Sequence, residues 1–347
     1  MSTEKRIYGA LTGAAVGEAM GAVTSAWTTE LILKNYGKYV EELLVPPVST
    51  KTKGLSKAGQ VTDGFSFSYM MINSIIENGG VINQTEAEET IVEWGKNPDY
   101  MRFAEINSAA AYDVFAKTGV DYRYPYLTFD HHRATYEGAA RAIAIAPFFP
   151  GQMEIAIEQL VLAYRTVFNN TFCMAGAGAA VAAMTTAMKD GASYYDVLAA
   201  AVHGAKRGMD VAESYRVQPA ACASVQRRIE LAIDIGMRHQ DNFDVAMKEL
   251  EDCIGTGNFA NESVATAIGC IAACKGNADA IKMAVNIGNN TDAMANIVGG
   301  IVGALHPEQI PASQIALVEK VNGYDFHALS ERIVGLNAMN ENYYISY

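Results

Sequence analysis

The chain has 347 residues, half of them hydrophobic, with a formal charge of −12 and a pI near 5.0. It lacks the clustered Lys and Arg that nucleic-acid phosphates require, so the charge argues against a nucleic-acid partner and serves solubility. The first ten residues, MSTEKRIYGA, lack the apolar core of a signal peptide, and the longest apolar stretches are too short or too rich in Gly and Ala to predict a membrane span. We therefore expect a cytoplasmic protein with no membrane partner.

Helical periodicity dominates the chain from its N-terminus onward. The segment IYGALTGAAVGEAMGAV places Gly9, Gly13, Gly17 and Gly21 at every fourth position. Because glycine is costly inside a helix, this stripe predicts that another helix approaches closely. Further helices are predicted over 64–78, 86–95, 101–117, 136–147, 152–168, 172–190, 194–206, 221–237, 242–253, 261–274, 278–287, 292–305 and near 312–320.

Two long irregular segments interrupt the helices. One follows Pro46 and Pro47, and the other spans 119–138 and is rich in Tyr, His and charge. Loops of this kind on a helical scaffold are where a substrate is expected to bind. The sequence thus predicts an all-α protein in which residues 1–347 form one domain.

Five cysteines are scattered through apolar, helix-like surroundings: Cys173, Cys222, Cys253, Cys270 and Cys274. An odd number without dense spacing predicts buried free thiols in a reducing compartment. Cys270 and Cys274 lie one helical turn apart, but no His or second Cys pair accompanies them, so the pattern disfavours a zinc site.

Two predicted helix starts carry clusters of polar residues. GQVTDGFSF contains Thr62 and Asp63, and NIGNNTDAMANIVGG contains Asn289, Asn290 and Asp292. Turn chemistry accounts for the end of one helix and the start of the next. It does not account for an acceptor-rich cluster at the start of a helix that the sequence predicts to be buried.

Three segments, in this order, resemble the ADP-ribosylglycohydrolase family. GALTGAAVGEAMGAV resembles the family's opening helix with its Gly-Asp-Ala-Leu-Gly core, GQVTDGFSFSYMMINSII stands where the family has Thr-Asp-Asp-Thr, and NIGNNTDAMANIVGGIVGALHP stands where it has Gly-Gly-Asp-Thr-Asp-Thr. Between them, YEGAARAIAIAPFF resembles the family's Asn-Gly-x-x-Met-Arg-x-x-Pro region, and GTGNFANESVATAIGCIAA resembles the segment before the last motif. The resemblance covers roughly residues 7–305 and implies a mostly orthogonal, single-domain bundle of helices that cleaves a ribosyl bond.

In that family the two acidic motifs meet at helix starts and hold two Mg²⁺ or Mn²⁺ ions, which bind ribose hydroxyls. The resemblance implies three metal ligands in this chain: Thr62, Asp63 and Asp292. Other ligands are missing, because Gly64 replaces the second aspartate, Asn290 replaces the partner of Asp292, and Ala293 replaces a threonine. Two carboxylates compensate two divalent ions poorly, so we expect one weakly held Mg²⁺ or Mn²⁺ ion, or none.

The resemblance also implies roles for the remaining site residues. Asp63 and Asp292 would orient the ribose or an ion, and Glu137 is the best relocated acid for activating water or protonating the leaving group. The substrate-binding candidates are Thr62, Gly138, Arg141, Asn169, Asn170, Asn289 and Asn290. Because Asn169 or Asn170 stands where a Thr-His pair would approach phosphates, and Glu137 adds a negative charge, we expect a neutral or cationic riboside rather than ADP-ribose.

Several residues have a structural alternative. Arg141 is equally consistent with a buried ion pair, whereas a cap or buried hydrogen bond is favoured for Glu18 and a charge at a helix start for Glu262. The aromatic and His-rich loop would stack on a base, cover the core edge, or contact solvent or substrate; its residues are Tyr122, Tyr124, Tyr126, Asp130, His131 and His132.

The leading function is therefore hydrolysis of an N- or O-ribosyl bond in a small ribosyl-containing molecule. One alternative is a non-catalytic descendant that binds a nucleotide-like ligand or serves a structural role, as lens crystallins of this family do. Another is a conventional Mg²⁺ enzyme that removes ADP-ribose from protein, against which the missing ligands count. The sequence defines neither the leaving group nor the oligomeric state.

Overall fold

The computed structural model describes residues 1–47, 50, 52, 54–119 and 131–345, with side chains described through residue 339. These residues form seventeen α-helices: α1 (Thr3–Gly21), α2 (Thr29–Tyr36), α3 (Asp63–Glu77), α4 (Gln84–Gly95), α5 (Pro98–Met101), α6 (Ile106–Ala116), α7 (Glu137–Ala140), α8 (Met153–Tyr164), α9 (Thr171–Ala187), α10 (Tyr194–Ser214), α11 (Val225–Arg238), α12 (Phe243–Cys253), α13 (Ala260–Ala273), α14 (Asp279–Asn286), α15 (Thr291–Leu305), α16 (Ala312–Asn322) and α17 (Phe326–Ile345). Within the described ranges, β-pairing is limited to one isolated bridge between Thr135 and Phe259. The predicted all-α class is confirmed.

The glycine stripe of α1 packs against α15 as an antiparallel pair. A Cβ atom added at Gly13 would lie 2.2 Å from the Gly299 carbonyl oxygen, and one added at Gly9 would lie 2.1 Å from that of Gly303. A side chain at either position would therefore hold the two backbones apart. The close approach predicted from the spacing of the glycines is confirmed.

This pairing determines where the polar helix starts lie. Because α1 and α15 run in opposite directions, the last turn of α1, at Gly21, contacts the first turn of α15, at Thr291. One continuous hydrophobic core extends from Ile7 in α1 to Ile333 in α17 and surrounds this pair. In the described part of the chain, no helix is both long and apolar enough to cross a membrane.

Several helix boundaries differ from the predicted ones for local reasons. The segment 136–147 forms the short α7 and two 3₁₀ turns instead of one helix, because Pro147 cannot continue an α-helical ladder. Helix α11 begins at Val225 rather than at 221, since the Ser224 side chain accepts a hydrogen bond from the Arg227 N–H and fixes the cap there.

Three helices were not predicted from the sequence. Helix α2 has only eight residues, and its apolar Leu31, Ile32 and Leu33 are consecutive, so they show no helical spacing. Helix α5 has four residues, too few for a periodic pattern. Helix α17 mixes polar and apolar residues without a clear stripe. Cys173, Cys270 and Cys274 are buried free thiols as predicted, but Cys222 is half-buried and Cys253 is exposed.

Candidate functional site

The carboxylate of Glu18, on the last turns of α1, joins the starts of α3 and α15. Its Oε1 accepts hydrogen bonds from the Thr62 N–H (2.8 Å) and the Thr62 hydroxyl (2.7 Å), and its Oε2 accepts one from the Phe65 N–H (2.8 Å). Its Oε2 also accepts a short hydrogen bond from Asn296 Nδ2, one turn into α15. The two polar helix starts therefore flank the same buried carboxylate.

Burial and, to a smaller extent, the nearby Asp63 carboxylate raise the pKa of Glu18 to about 7. The hydrogen bonds from Phe65, Asn296 and Thr62 act the other way, because they stabilise the ionised form. Glu18 has the role that the sequence favoured for it, a buried hydrogen-bonding group that also caps a helix start.

Asp63 is the first residue of α3 and forms an ion pair with Arg141. The guanidinium Nη2 lies 3.0 Å from Asp63 Oδ2. Arg141 has no solvent exposure and is surrounded by the rings of Phe67, Trp94 and Phe168 at 5.2–5.9 Å. Burial alone would lower the pKa of Arg141, but the carboxylates of Asp63 and Glu137 raise it above its usual value. Arg141 is therefore held in a buried ion pair, which is the structural alternative that the sequence offered.

Asp292, the second residue of α15, has fewer partners. Its Oδ1 accepts a hydrogen bond from Ser25 Oγ (3.2 Å), and no donor for Oδ2 is found among the described residues. The preceding Thr291 hydroxyl donates to the Gly21 carbonyl (2.8 Å), which ties α15 to the end of α1.

The two asparagines before Asp292 differ in exposure. Asn289 is exposed and has a positive φ of 59°, and its backbone exchanges hydrogen bonds with Ala26 and Trp27. Asn290 is buried, and its Nδ2 donates to the Thr256 carbonyl (3.1 Å) and to Asn258 Oδ1 (2.9 Å). Asn289 is therefore accessible to solvent, whereas the amide nitrogen of Asn290 is engaged within the protein.

Glu137 has no exposed surface, and its carboxylate binds the first turn of α6. One oxygen accepts from the Asn107 N–H (2.9 Å) and the Thr135 hydroxyl (3.0 Å). The other accepts from the Ser108 N–H (2.9 Å) and hydroxyl (2.6 Å). These N–H groups have no partner inside their own helix, so Glu137 stabilises the start of α6. The contacts give no support to the predicted catalytic role of Glu137 and favour a structural one.

The remaining predicted binding residues also make local contacts. Asn170 caps α9 by accepting from the Phe172 and Cys173 N–H groups, and Asn169 accepts from the Gln218 N–H (3.1 Å). Gly138 lies against α9, where an added Cβ would be 3.1 Å from Ala177 Cβ. These three residues order the backbone beside the site, and their binding roles stay predictions.

Residues of the two irregular segments are only partly described. Tyr122, Tyr124, Tyr126 and Asp130 lie outside the described residues. His131 Nδ1 accepts a hydrogen bond from the Ala221 N–H, and His132 is exposed. Glu262 is half-buried in the first turn of α13, where burial raises its pKa and the Arg228 charge and the Gly257 N–H lower it.

Sequence reasoning missed Tyr136, Asn296 and Ser25. Tyr136 is buried, and burial raises its pKa well above the usual value; the charges of Glu105, Asp292, Asp63 and Glu137 add to this. Its phenol therefore lies within the electrostatic reach of both helix starts. Asn296 carried a signal that could have been used, because a polar side chain in a run of small apolar helix residues requires a buried partner.

The donor set does not fit a dinuclear metal centre. Asp63 is neutralised by Arg141, Gly64 and Ala293 offer no side-chain oxygen, and the space beside Gly64 is occupied by Glu18. Across the described ranges, no group of three or more His, Cys, Asp and Glu side chains is arranged to hold a metal ion. The predicted Thr62 ligand also donates its hydroxyl hydrogen to Glu18.

Comparison with known proteins identifies the family. The ADP-ribosylglycohydrolase family model matches residues 1–343. The chain belongs to the ADP-ribosylglycohydrolase family. The uncharacterized protein YegU of Escherichia coli (strain K12), a relative from this comparison, is 25% identical over 334 residues, which cover 94% of this chain and 95% of YegU.

A solved structure described as an ADP-ribosylglycohydrolase-related protein complex has the same fold. It superposes with a TM-score of 0.67 at 17% sequence identity, covering 97% of this chain and 99% of that one. The predicted family bundle is therefore confirmed over nearly the whole chain of this ADP-ribosylglycohydrolase family member.

Proposed function

We propose that this ADP-ribosylglycohydrolase family member hydrolyses an N- or O-ribosyl bond in a small, phosphate-free riboside, with reduced dependence on metal. The observation that carries the proposal is that the starts of α3 and α15 meet around Glu18, with Asp63 near its carboxylate and Asp292 against Gly21 at the end of α1. Both aspartates keep a little solvent exposure, 7% and 3%, whereas Glu137 has none. This difference supports the assignment of Asp63 and Asp292, rather than Glu137, to contact with a ligand.

In this proposal Asp292 is the general base. Its Oδ2 has no donor among the described residues, while Ser25 orients the carboxylate through Oδ1. Asp292 takes a proton from water as the water oxygen bonds to the anomeric carbon. The bond from that carbon to the leaving nitrogen or oxygen breaks, the leaving group retains the electron pair and takes up a proton from solvent water, and Asp292 then releases its proton to solvent. The products are ribose and the protonated leaving group.

Asp63 and Asn289 are assigned to substrate binding. Asp63 is fixed by its ion pair with Arg141, so its carboxylate is a preorganised acceptor for a ribose hydroxyl. The exposed Asn289 side chain would contact a second hydroxyl at the entrance. Asn290 and Thr62 would hold these neighbouring residues in position, since both are hydrogen-bonded inside the protein.

The charge of the site supports a substrate without phosphates. Asp292 and Glu105 contribute negative charge around Tyr136, whereas the charges of Asp63 and Arg141 largely balance each other inside the protein. A diphosphate beside these carboxylates would be repelled, and the repulsion grows as water is excluded. The proposed cofactor content is correspondingly one weakly held Mg²⁺ or Mn²⁺ ion, or none.

A substrate panel tests the proposal. Both anomers of 4-nitrophenyl ribofuranoside serve as phosphate-free probes, and ADP-ribosyl-arginine and ADP-ribosyl-serine serve as the phosphate-containing ones. Parent and Asp292→Asn protein are compared, with Glu137→Gln as the matched buried-carboxylate control. The proposal predicts cleavage of a riboside by parent and Glu137→Gln but not by Asp292→Asn. Normal cleavage of the ADP-ribosyl probes with the ribosides untouched would reverse the assignment of substrate.

A second candidate is a ligand-binding protein without catalytic activity. It is favoured by one observation. Gly64 and Ala293 stand where the family has metal ligands, and Asp63 is enclosed in a pair with Arg141. Inactivity against the whole panel, with ribose or riboside binding retained in calorimetry, would favour this candidate.

A further inference from the structure

Glu18 and Gly64 are complementary in shape. A Cβ atom added at Gly64 would lie 2.8 Å from Glu18 Oε2, 3.4 Å from Asn296 Nδ2 and 3.5 Å from Ala140 Cβ. An aspartate at position 64 would extend further into the same space. A carboxylate on residue 64 and the carboxylate of Glu18 thus exclude each other in this arrangement of the helices.

Glu18 also has the length that its contacts require. It accepts hydrogen bonds from Thr62 and Phe65 on one side and from Asn296 on the other, so three helices meet at one side chain. An aspartate at position 18 would be shorter by one methylene, about 1.5 Å, and could not keep all of these contacts. The N–H groups at the start of α3 would then lose their buried acceptor.

The positive charge of the region is also supplied by the protein. Arg141 lies 3.0 Å from Asp63 and is enclosed by aromatic rings, so Asp63 has a permanent counter-charge. Neither the acceptor at the start of α3 nor the charge on Asp63 calls for an ion from solution.

We propose that Glu18 is a positioning residue that joins α1, α3 and α15 in place of a metal ion, and that Gly64 is the space left for its carboxylate. In this site the alignment of Asp63 with Asp292 depends on a carboxylate and a guanidinium of the chain itself. The inference concerns how the site is held together and does not rest on which substrate is cleaved.

Calorimetry and thermal unfolding of the full chain test this inference. Mn²⁺ is titrated into parent protein and into Glu18→Gln, Glu18→Asp, Gly64→Asp and the double variant Glu18→Asp/Gly64→Asp. Gly335→Asp is the control for the Gly64 substitution, because Gly335 is a helical glycine with open space around it. Each single substitution at Glu18 or Gly64 should lower the melting temperature by several degrees, and Gly335→Asp should not.

The double variant should lose less stability than the sum of its two single variants, because each relieves the misfit of the other. It should also gain a saturable Mn²⁺ titration that parent and Glu18→Gln lack. Additive losses, with no gain of Mn²⁺ binding, would overturn the inference. Stoichiometric Mn²⁺ binding by the parent that Glu18→Gln abolishes would also overturn it, and this comparison remains decisive if Gly64→Asp fails to fold.

Discussion

Arg141 is held between the carboxylates of Asp63 and Glu137 with no exposure to solvent. Replacing it with Met leaves Asp63 buried without its counter-charge, which should lower the free energy of unfolding by about 3–5 kcal/mol. Urea unfolding measures this loss. Arg238→Met is the control, because Arg238 is half-exposed in its pairs with Asp234 and Glu249 and should contribute much less than Arg141. Equal losses in the two variants would contradict the account of Arg141.

Removal of the charge on Asp292 and removal of the charge on Glu137 are predicted to have opposite effects on stability and on kcat. Glu137→Gln deprives an N–H at the start of α6 of its acceptor, so it should lower stability by about 1–3 kcal/mol and riboside kcat by less than about tenfold. Asp292→Asn should change stability little and lower kcat by about 10²–10⁴. Steady-state kinetics corrected for the folded fraction separates the two effects. The reverse pattern would restore Glu137 as the catalytic acid.

Glu18 should make stability depend on pH. Its pKa rises from an ordinary 4.5 to about 7 in the folded state, so the folded protein holds this proton more tightly than the unfolded chain does. The stabilisation is full below pH 4.5 and is lost as pH rises through 7. At about 1.36 kcal/mol per pKa unit, the loss is roughly 3 kcal/mol. The difference in unfolding free energy between parent and Glu18→Gln, measured in chelator, should change by this order between pH 5 and 8; a constant difference would contradict the assignment.

At the scale of elements, the antiparallel α1–α15 pair sets the position of Asp292. An added Cβ at Gly21 would lie 2.3 Å from the Thr291 carbonyl oxygen and 2.7 Å from Asp292 Cα, whereas Gly9 contacts the other end of α15 at Gly303. Gly21→Ala and Gly9→Ala should each cost about 1–3 kcal/mol, but only Gly21→Ala should reduce activity of the folded protein. Thermal unfolding and kinetics at matched folded fractions check this. Equal activity in both variants would show that the contact does not position the site.

The close pairing of α1 and α15 could be predicted from the sequence, because four glycines spaced one helical turn apart form a smooth face that only a second backbone fills. The starts of α3 and α15 were predicted within one residue, since Thr62 and Asn290 mark them clearly. The short α7 and the two 3₁₀ turns within 136–148 were not predicted. The apolar sequence of this segment does not show where Pro147 interrupts the helix. Helix α2 was not found, because it has only eight residues and its three apolar residues are consecutive.

The candidate site was less predictable than the fold. Thr62, Asp63, Asn289 and Asp292 were found from their positions at helix starts. The hydrogen-bonding partners of Glu137 could not be predicted, because Asn107 and Ser108 lie 30 and 29 residues away in the chain. Which carboxylate faces a ligand and which supports a helix depends on such distant contacts.

At the scale of the whole molecule, the continuous core and the enclosed Asp63–Arg141 pair hold the two helix starts in a fixed arrangement. The family assignment makes glycoside hydrolysis the reaction to test, while the contacts of Glu18 and Gly64 distinguish this chain's site from one built around two ions. The central claim is therefore that the chain's own side chains assemble a working ribosyl hydrolase site.

The most direct test is the rate of 4-nitrophenyl ribofuranoside hydrolysis by chelator-treated protein, measured before and after saturation with Mg²⁺ or Mn²⁺. The account predicts a rate that changes little with either ion and is lost in Asp292→Asn. Hydrolysis that appears only when the ion is restored, with parallel binding of two ions per chain, would contradict it.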